Sequence, residues 1–170
     1  MIVLASALLG ALVVGLLLLA GWLVNTARRL DRLHVRRDLA WQALLAALDR
    51  RALVARTAAA RLGPQGGELA RLARAVEAAD VADRERLESE LSVCLGALGA
   101  EGTDALGEQL VEERADAEAR VRFARSFYNE AVRDTLALRA RSAVRLFKLA
   151  GSAPLPAYFE IVEGAGPLVE

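Results

Sequence analysis

The sequence predicts an all-α protein, with an N-terminal transmembrane helix followed by an antiparallel bundle of three to four long helices. Three observations carry this expectation. Residues Ile2–Val24, 23 in all, contain no charged side chain. The four prolines stand at 64, 154, 156 and 167, so none interrupts the stretches between Thr26 and Gly63 or between Gln65 and Ser152. Proline within a helix removes a hydrogen bond and clashes with the preceding turn, so its absence permits long helices. Along both stretches apolar residues recur at steps of three and four, and no strand-like alternation of useful length occurs.

Residues 1–25 are read as a membrane anchor. As a helix the uncharged run is about 34 Å long at ~1.5 Å per residue, enough to cross a hydrocarbon core of ~30 Å. Trp22 and Asn25 stand where interfacial and boundary residues are expected. A cleaved signal would need a charged leading segment and a shorter apolar stretch, and a helix apolar on all sides would need a much larger core around it. Arg28, Arg29, Arg32, Arg36 and Arg37 follow the run, whereas no Lys or Arg precedes it. The positive-inside rule then places the N-terminus outside and the body in the cytoplasm, as a single-pass protein of the inner (plasma) membrane. The same arginines are within reach of anionic headgroups.

Residues 26–150 are read as the helical bundle. Leu30, Leu33, Trp41, Leu44, Leu48, Ala52, Ala55 and Ala59 share one stripe of a helix that continues from the membrane span to about Leu62. The Gly63–Gly67 run, with Pro64 inside it, stops that helix. Leu69, Leu72, Ala73 and Val76 form the face of the next. Asp80–Asp83 marks a break with Asp83 as N-cap, ahead of a stripe of Leu87, Leu91, Cys94, Leu95 and Leu98; one kinked helix and two helices both fit. Gly99–Asp104 reads as a loop, with Thr103 or Asp104 capping a last helix that runs to about Leu146. Residues 151–170 form a C-terminal tail.

Composition narrows the function classes. Lys plus Arg and Asp plus Glu both number 22, so the basic surplus of a nucleic-acid binder is missing. Charge is nonetheless segregated: residues 25–61 carry nine basic and three acidic groups, and residues 62–120 carry six and fourteen. Acidic middle helices facing a basic first helix would pair with it across the bundle; the alternative is an acidic surface for a basic partner. One cysteine, Cys94, excludes an internal disulfide and Cys-based zinc sites, and one histidine, His34, excludes His-pair metal sites.

The search for chemistry finds little. The Gly63–Gly67 segment lacks the strand and the Lys-Ser/Thr of a phosphate loop. Glu112, Glu113, Asp116 and Glu118 lack the histidines of a carboxylate di-metal site and read as a solvated face. Cys94 follows the apolar spacing and reads as a buried structural thiol. Ser126 and Ser142 have no identifiable base. No catalytic residue, metal ligand or cofactor is assigned, and the protein is read as a non-enzyme. The stretch from Ala124 to Asp134 stands out because it holds Phe127 and Tyr128 together and because Tyr128 and Asn129 are costly choices in mid-helix. Core packing accounts for them, with the Tyr hydroxyl and Asn amide meeting polar groups of a neighbouring helix. The alternative is a ligand pocket lined by Tyr128, Asn129 and Arg125.

That stretch resembles the LemA family. The resemblance rests on Ala124-Arg125-x-Phe127-Tyr128-Asn129-x-Ala131-Val132-Arg133-Asp134, on Tyr158-Phe159-Glu160, and on Ala40-Trp41 followed by Leu48-x-Arg50-Arg51. This chain departs from the family at Ala52–Arg56, at Gly99–Thr103 and at Ala140–Ala143, as a divergent member would. The resemblance implies a membrane-anchored antiparallel helical bundle with no established enzymatic activity, some relatives being associated with bacterial membrane organisation, including magnetosome formation. Arg125, Phe127, Tyr128, Asn129 and Trp41 carry over as structural positions. The expected function is a scaffold or adaptor, with a sensor module as the alternative. The expected partners are the lipid bilayer and a second copy or other membrane proteins, with neither nucleic acid nor metal.

Overall fold

The computed structural model describes residues 2–150 and 154–162, and of residues 2–5, 100 and 101 the backbone alone. Every regular element among them is helical. Helix α1 (Ile2–Leu62) runs unbroken for 61 residues. Gly63, at φ 58°, ends it in the left-handed region that glycine adopts without a Cβ clash. A 3₁₀ turn (Gly63–Gly66) follows, then α2 (Gly67–Ala78), α3 (Val81–Gly96), α4 (Gly99–Leu106), α5 (Glu108–Arg139) and α6 (Ser142–Leu146).

Three boundaries differ from the sequence expectation. The N-cap before α3 is Asp80, not Asp83: its carboxylate accepts from the backbone N–H of Ala82 at 3.1 Å and of Asp83 at 3.0 Å. Ala79 already leaves the helix with ψ 139°, so Asp80 is the residue next to the orphaned N–H groups. The break also settles that α2 and α3 are separate. The segment expected as a loop at Gly99–Asp104 is helix α4, and the stop falls at Gly107, φ 79°. Burial of Leu106, 1% exposed, outweighs the poor helix propensity of the two glycines. The last long helix ends at Arg139 rather than Leu146. Arg141 turns extended at ψ 132°, and α6 restarts so that Val144 is buried. Of the tail, residues 151–153 and 163–170 lie outside the described residues.

The chain divides into two compact units, Met1–Asp38 with Ala131–Ala157, and Leu39–Glu130 with Tyr158–Glu170. The first contains the apolar run. It is helical, and from Ser6 to Trp22 its side chains are exposed: Leu8 68%, Leu17 67% and Leu18 71%. This is one helix long and apolar enough to cross a membrane, with mean hydropathy 2.6. Below it Leu30, Leu138 and Val144 pack together, flanked by Leu33, Leu149 and Ala150. Arg36 pairs with Asp134 at 3.0 Å.

The second unit has two apolar clusters. Ala52, Ala55, Ala58 and Ala59 of α1 meet Leu69, Leu72, Ala73 and Val76 of α2, Leu91 and Leu95 of α3, and Leu106. Small residues on α1 let the neighbouring backbone come close. At Gly66 a Cβ would lie 2.2 Å from the Ala59 carbonyl oxygen, so the turn can seat on α1 only with glycine there. The other cluster joins Leu44, Leu48, Val121, Phe159 and Ile161, with Trp41 and Tyr128 against it.

Candidate functional site

The long apolar stripe of α1 places Trp41, Leu44 and Leu48 on one face, and the stripe of α5 places Val121, Ala124 and Tyr128 on another. The chain end fills the space beside both. Phe159 and Ile161 are 3% and 8% exposed, whereas Tyr158, Glu160 and Val162 are exposed. That alternation is the period of an extended strand, although no helix or sheet forms here. The Trp41 ring lies 5.1 Å from Tyr128, tilted by 51°, and 5.7 Å from Phe159, edge-on at 66°. Both geometries are favoured by the aromatic quadrupole, at about 0.5–1.5 kcal/mol per pair.

The tail has no strand partner, so side chains satisfy its backbone. Asn129 Nδ2 donates to the Phe159 carbonyl at 3.1 Å, and the Phe159 N–H donates to Asn129 Oδ1 at 2.9 Å. Arg125 Nη1 donates to the Ile161 carbonyl at 3.0 Å. The Glu160 N–H donates to Glu85 Oε1, and the Val162 N–H to Ser89 Oγ at 3.1 Å. Trp41, Arg125, Tyr128 and Asn129 are thereby brought to one place. The Asn129 amide meets the tail backbone instead of the neighbouring helix expected from sequence. Phe127 is not with them. It is 60% exposed and lines an open groove of about 810 Å³ with Phe123, Ala43, Ala46, Ala47, Arg50, Asp116, Arg120 and Ala124.

A second polar centre lies outside the residues that the sequence singles out. Glu88 is fully buried between two guanidinium groups: Arg51 Nη2 at 2.5 Å and Arg84 Nε at 3.0 Å. Arg51 also donates to Ser92 Oγ at 2.8 Å, and Arg84 to the exposed Asp49 at 2.6 Å. Arg51 Nε is buried without a hydrogen-bond partner among the described residues. The signal was present: Arg84, Glu88, Leu91, Ser92 and Leu95 share one helical face, with charges on what reads as an apolar stripe. Arg50, next along α1, pairs with Glu113 at 3.8 Å, and Arg56 with Glu77 at 3.2 Å. The basic first helix therefore does meet the acidic middle of the chain.

Among the other candidates, Arg28, Arg29, Arg32 and Arg36 are exposed, and Arg37, half-buried, pairs with Asp38. His34 Nε2 is buried without a hydrogen-bond partner among the described residues. Cys94 is partly rather than fully buried. Burial, then the Glu68 charge, pushes its thiol pKa above the usual value, with Arg71 opposing. No group of three or more His, Cys, Asp or Glu side chains able to hold a metal occurs among the described residues. Comparison with protein-family models, with curated proteins and with solved structures gives no match.

Proposed function

We propose that this chain is a single-pass protein of a bacterial inner membrane, anchored by residues 1–25 with the N-terminus outside. Its antiparallel helical bundle lies in the cytoplasm and serves as a non-enzymatic scaffold for membrane organisation, in the manner the LemA resemblance implies. The observation that carries this reading is the uncharged first part of α1, exposed from Ser6 to Trp22, which continues without a break into the packed remainder of the same helix. In water that surface is an aggregation hazard; in lipid it is satisfied, because a helix bonds all its own backbone groups. The arginine flank supports the orientation.

The antiparallel arrangement is supported within each unit. In the second, contacts fall from Arg50 to Trp41 along α1 as they rise from Glu113 to Tyr128 along α5. In the first, they fall from Arg36 to Leu30 as they rise from Asp134 to Leu138. The scaffold is favoured over the ligand sensor because the amide of Asn129 is committed to Phe159 and the ring of Tyr128 to Trp41.

Alkaline carbonate washing and protease accessibility in a bacterial host test the proposal. The chain is expected to stay with the membrane pellet, and its body to resist an impermeant protease in spheroplasts until these are lysed. Release by carbonate, or digestion in intact spheroplasts, would overturn the anchor or the orientation respectively.

A further inference from the structure

The cluster of Leu30, Leu138 and Val144 brings two basic segments that are more than a hundred positions apart in the sequence to the same level of α1. Leu30 lies six residues beyond the last residue of the uncharged run, about 9 Å along a helix at ~1.5 Å per residue. The headgroup layer on each side of a bilayer is about 5–8 Å deep. α6 and the turn after it are therefore at membrane-surface height, if α1 spans as proposed above. What they carry there is unusual for a surface in water: Leu146 is 76% and Phe147 42% exposed, side by side, flanked by exposed Arg141, Arg145 and Lys148.

The turn is well defined. The Leu149 N–H reaches back to the Val144 carbonyl at 3.0 Å and the Lys148 N–H to Arg145 at 3.2 Å, closing α6 around a left-handed residue. That residue is Lys148, φ 49°, the only lysine in the chain and the one non-glycine residue with positive φ among those described. A glycine would sit there without strain. The backbone conformation thus holds a cation beside two exposed apolar side chains, next to a membrane span whose flank also presents Arg28, Arg29 and Arg32.

We propose that α6 with residues 147–150 is a second membrane contact of this protein. Leu146 and Phe147 enter the headgroup layer from its outer edge, and Arg141, Arg145 and Lys148 engage anionic phospholipid headgroups. Apolar side chains interleaved with Arg and Lys are the composition that such an interfacial site requires. The contact would fix the tilt and rotation of α1 at the surface, which a lone span leaves open. The inference rests on the reading of α1 as a membrane span.

The test uses the full chain in vesicles of phosphatidylcholine with or without about one third phosphatidylglycerol. In a Cys94→Ser background, an environment-sensitive fluorophore is attached at Leu146→Cys, at Leu12→Cys inside the span, or at Val93→Cys on α3. Spin-labelled lipids then quench from headgroup depth or from mid-chain depth. The expected result is mid-chain quenching at position 12, headgroup-depth quenching at position 146, and none at position 93. Phe147→Asp, or Arg145→Glu with Lys148→Glu, should lower the quenching at 146 at least twofold while leaving position 12 unchanged, the charge reversal acting only with the anionic lipid. Quenching at 12 with none at 146 would overturn the second contact and leave the span intact. An unquenched position 12 would overturn the span, and the inference with it.

Discussion

Asn129 uses both ends of its amide on one residue thirty positions away: Nδ2 donates to the Phe159 carbonyl, and Oδ1 accepts from the Phe159 N–H. The side chain thus acts as a one-residue strand partner for a segment that has none. Asn129→Ala removes both bonds and leaves a half-buried peptide group unpaired. At about 0.5–1.5 kcal/mol per bond, the expected loss is roughly 1–3 kcal/mol. Asn129→Asp keeps the acceptor but points a second oxygen at the Phe159 carbonyl, so it should recover little. Limited proteolysis checks this locally: cleavage after Tyr158 or Phe159 should quicken in both variants. Unchanged cleavage would mean that the tail is held by Phe159 and Ile161 alone.

The buried carboxylate of Glu88 neutralises Arg51 and offsets part of Arg84. Glu88→Gln keeps the shape and removes the charge, leaving Arg51 as an uncompensated buried cation, and should cost about 3–5 kcal/mol. The double variant Glu88→Leu with Arg51→Met tests whether the pair stabilises or only specifies. Arg51 Nε already lacks a hydrogen-bond partner among the described residues, and Arg84 can turn with Asp49, 63% exposed, toward solvent. The double variant is therefore expected to be at least as stable as the parent in chemical denaturation, and clearly more stable than Glu88→Gln. A double variant weaker than the single one would show that the ion pair is a net source of stability.

Adjacent glycines should respond with opposite signs. Gly66→Ala drives a methyl group into the backbone of Ala59, at 2.2 Å from its oxygen and 2.8 Å from its carbonyl carbon. Backbone cannot swing aside as a side chain can, so the turn must lift from α1, at a cost of roughly 1–3 kcal/mol or more. Gly67 is helical, φ −57°, with nothing within 4 Å of the added carbon. Gly67→Ala should stabilise by about 0.4–1 kcal/mol, mainly by restricting the unfolded chain. Thermal unfolding followed by circular dichroism separates the two, and a stabilising Gly66→Ala would refute the close contact.

Much of the helical organisation was legible because burial imposes a period. The stripe of Leu44, Leu48, Ala52, Ala55 and Ala59 on α1, and of Leu69, Leu72, Ala73 and Val76 on α2, is the stripe that is buried. Boundaries were less legible where long-range contacts decide them. Nothing local says that Leu106 will be buried and carry Gly99 and Gly102 into a helix, or that Val144 will seat on Leu30 and break the last helix at Arg139. Of the candidate site, Tyr128 and Asn129 stand out as costly mid-helix residues and Trp41 and Arg125 through the family resemblance, but their common partner does not, since the tail carries no periodic signal that says where it docks. Phe127 was grouped with them by adjacency, yet one residue is about 100° of helix, and it faces outward. The Glu88 centre is hard to read because Glu and Arg are almost never buried unless paired, and the partners are distant in sequence.

Cys94 supplies a check on burial that needs no structural perturbation. Desolvation disfavours its thiolate, the Glu68 carboxylate adds repulsion, and Arg71 offsets part of both. The pKa of the thiol is therefore raised in the folded state. Since the thiolate is the nucleophile, alkylation by iodoacetamide at pH 7–8 should be several-fold slower than for an unstructured cysteine peptide, and denaturant should abolish the difference. The sign for stability follows from the same shift: a folded-state pKa above the unfolded one means that the native state holds its proton longer. This contribution is complete below the unfolded pKa and is lost as pH rises through the folded one. Glu68→Gln removes the repulsion and should raise the alkylation rate, whereas Arg71→Gln should lower it. Both residues are solvent-exposed, so each effect should shrink in high salt. Equal rates in folded and denatured protein would show that Cys94 is as free as a thiol in an open chain, and that α3 does not seat against its neighbours along that face.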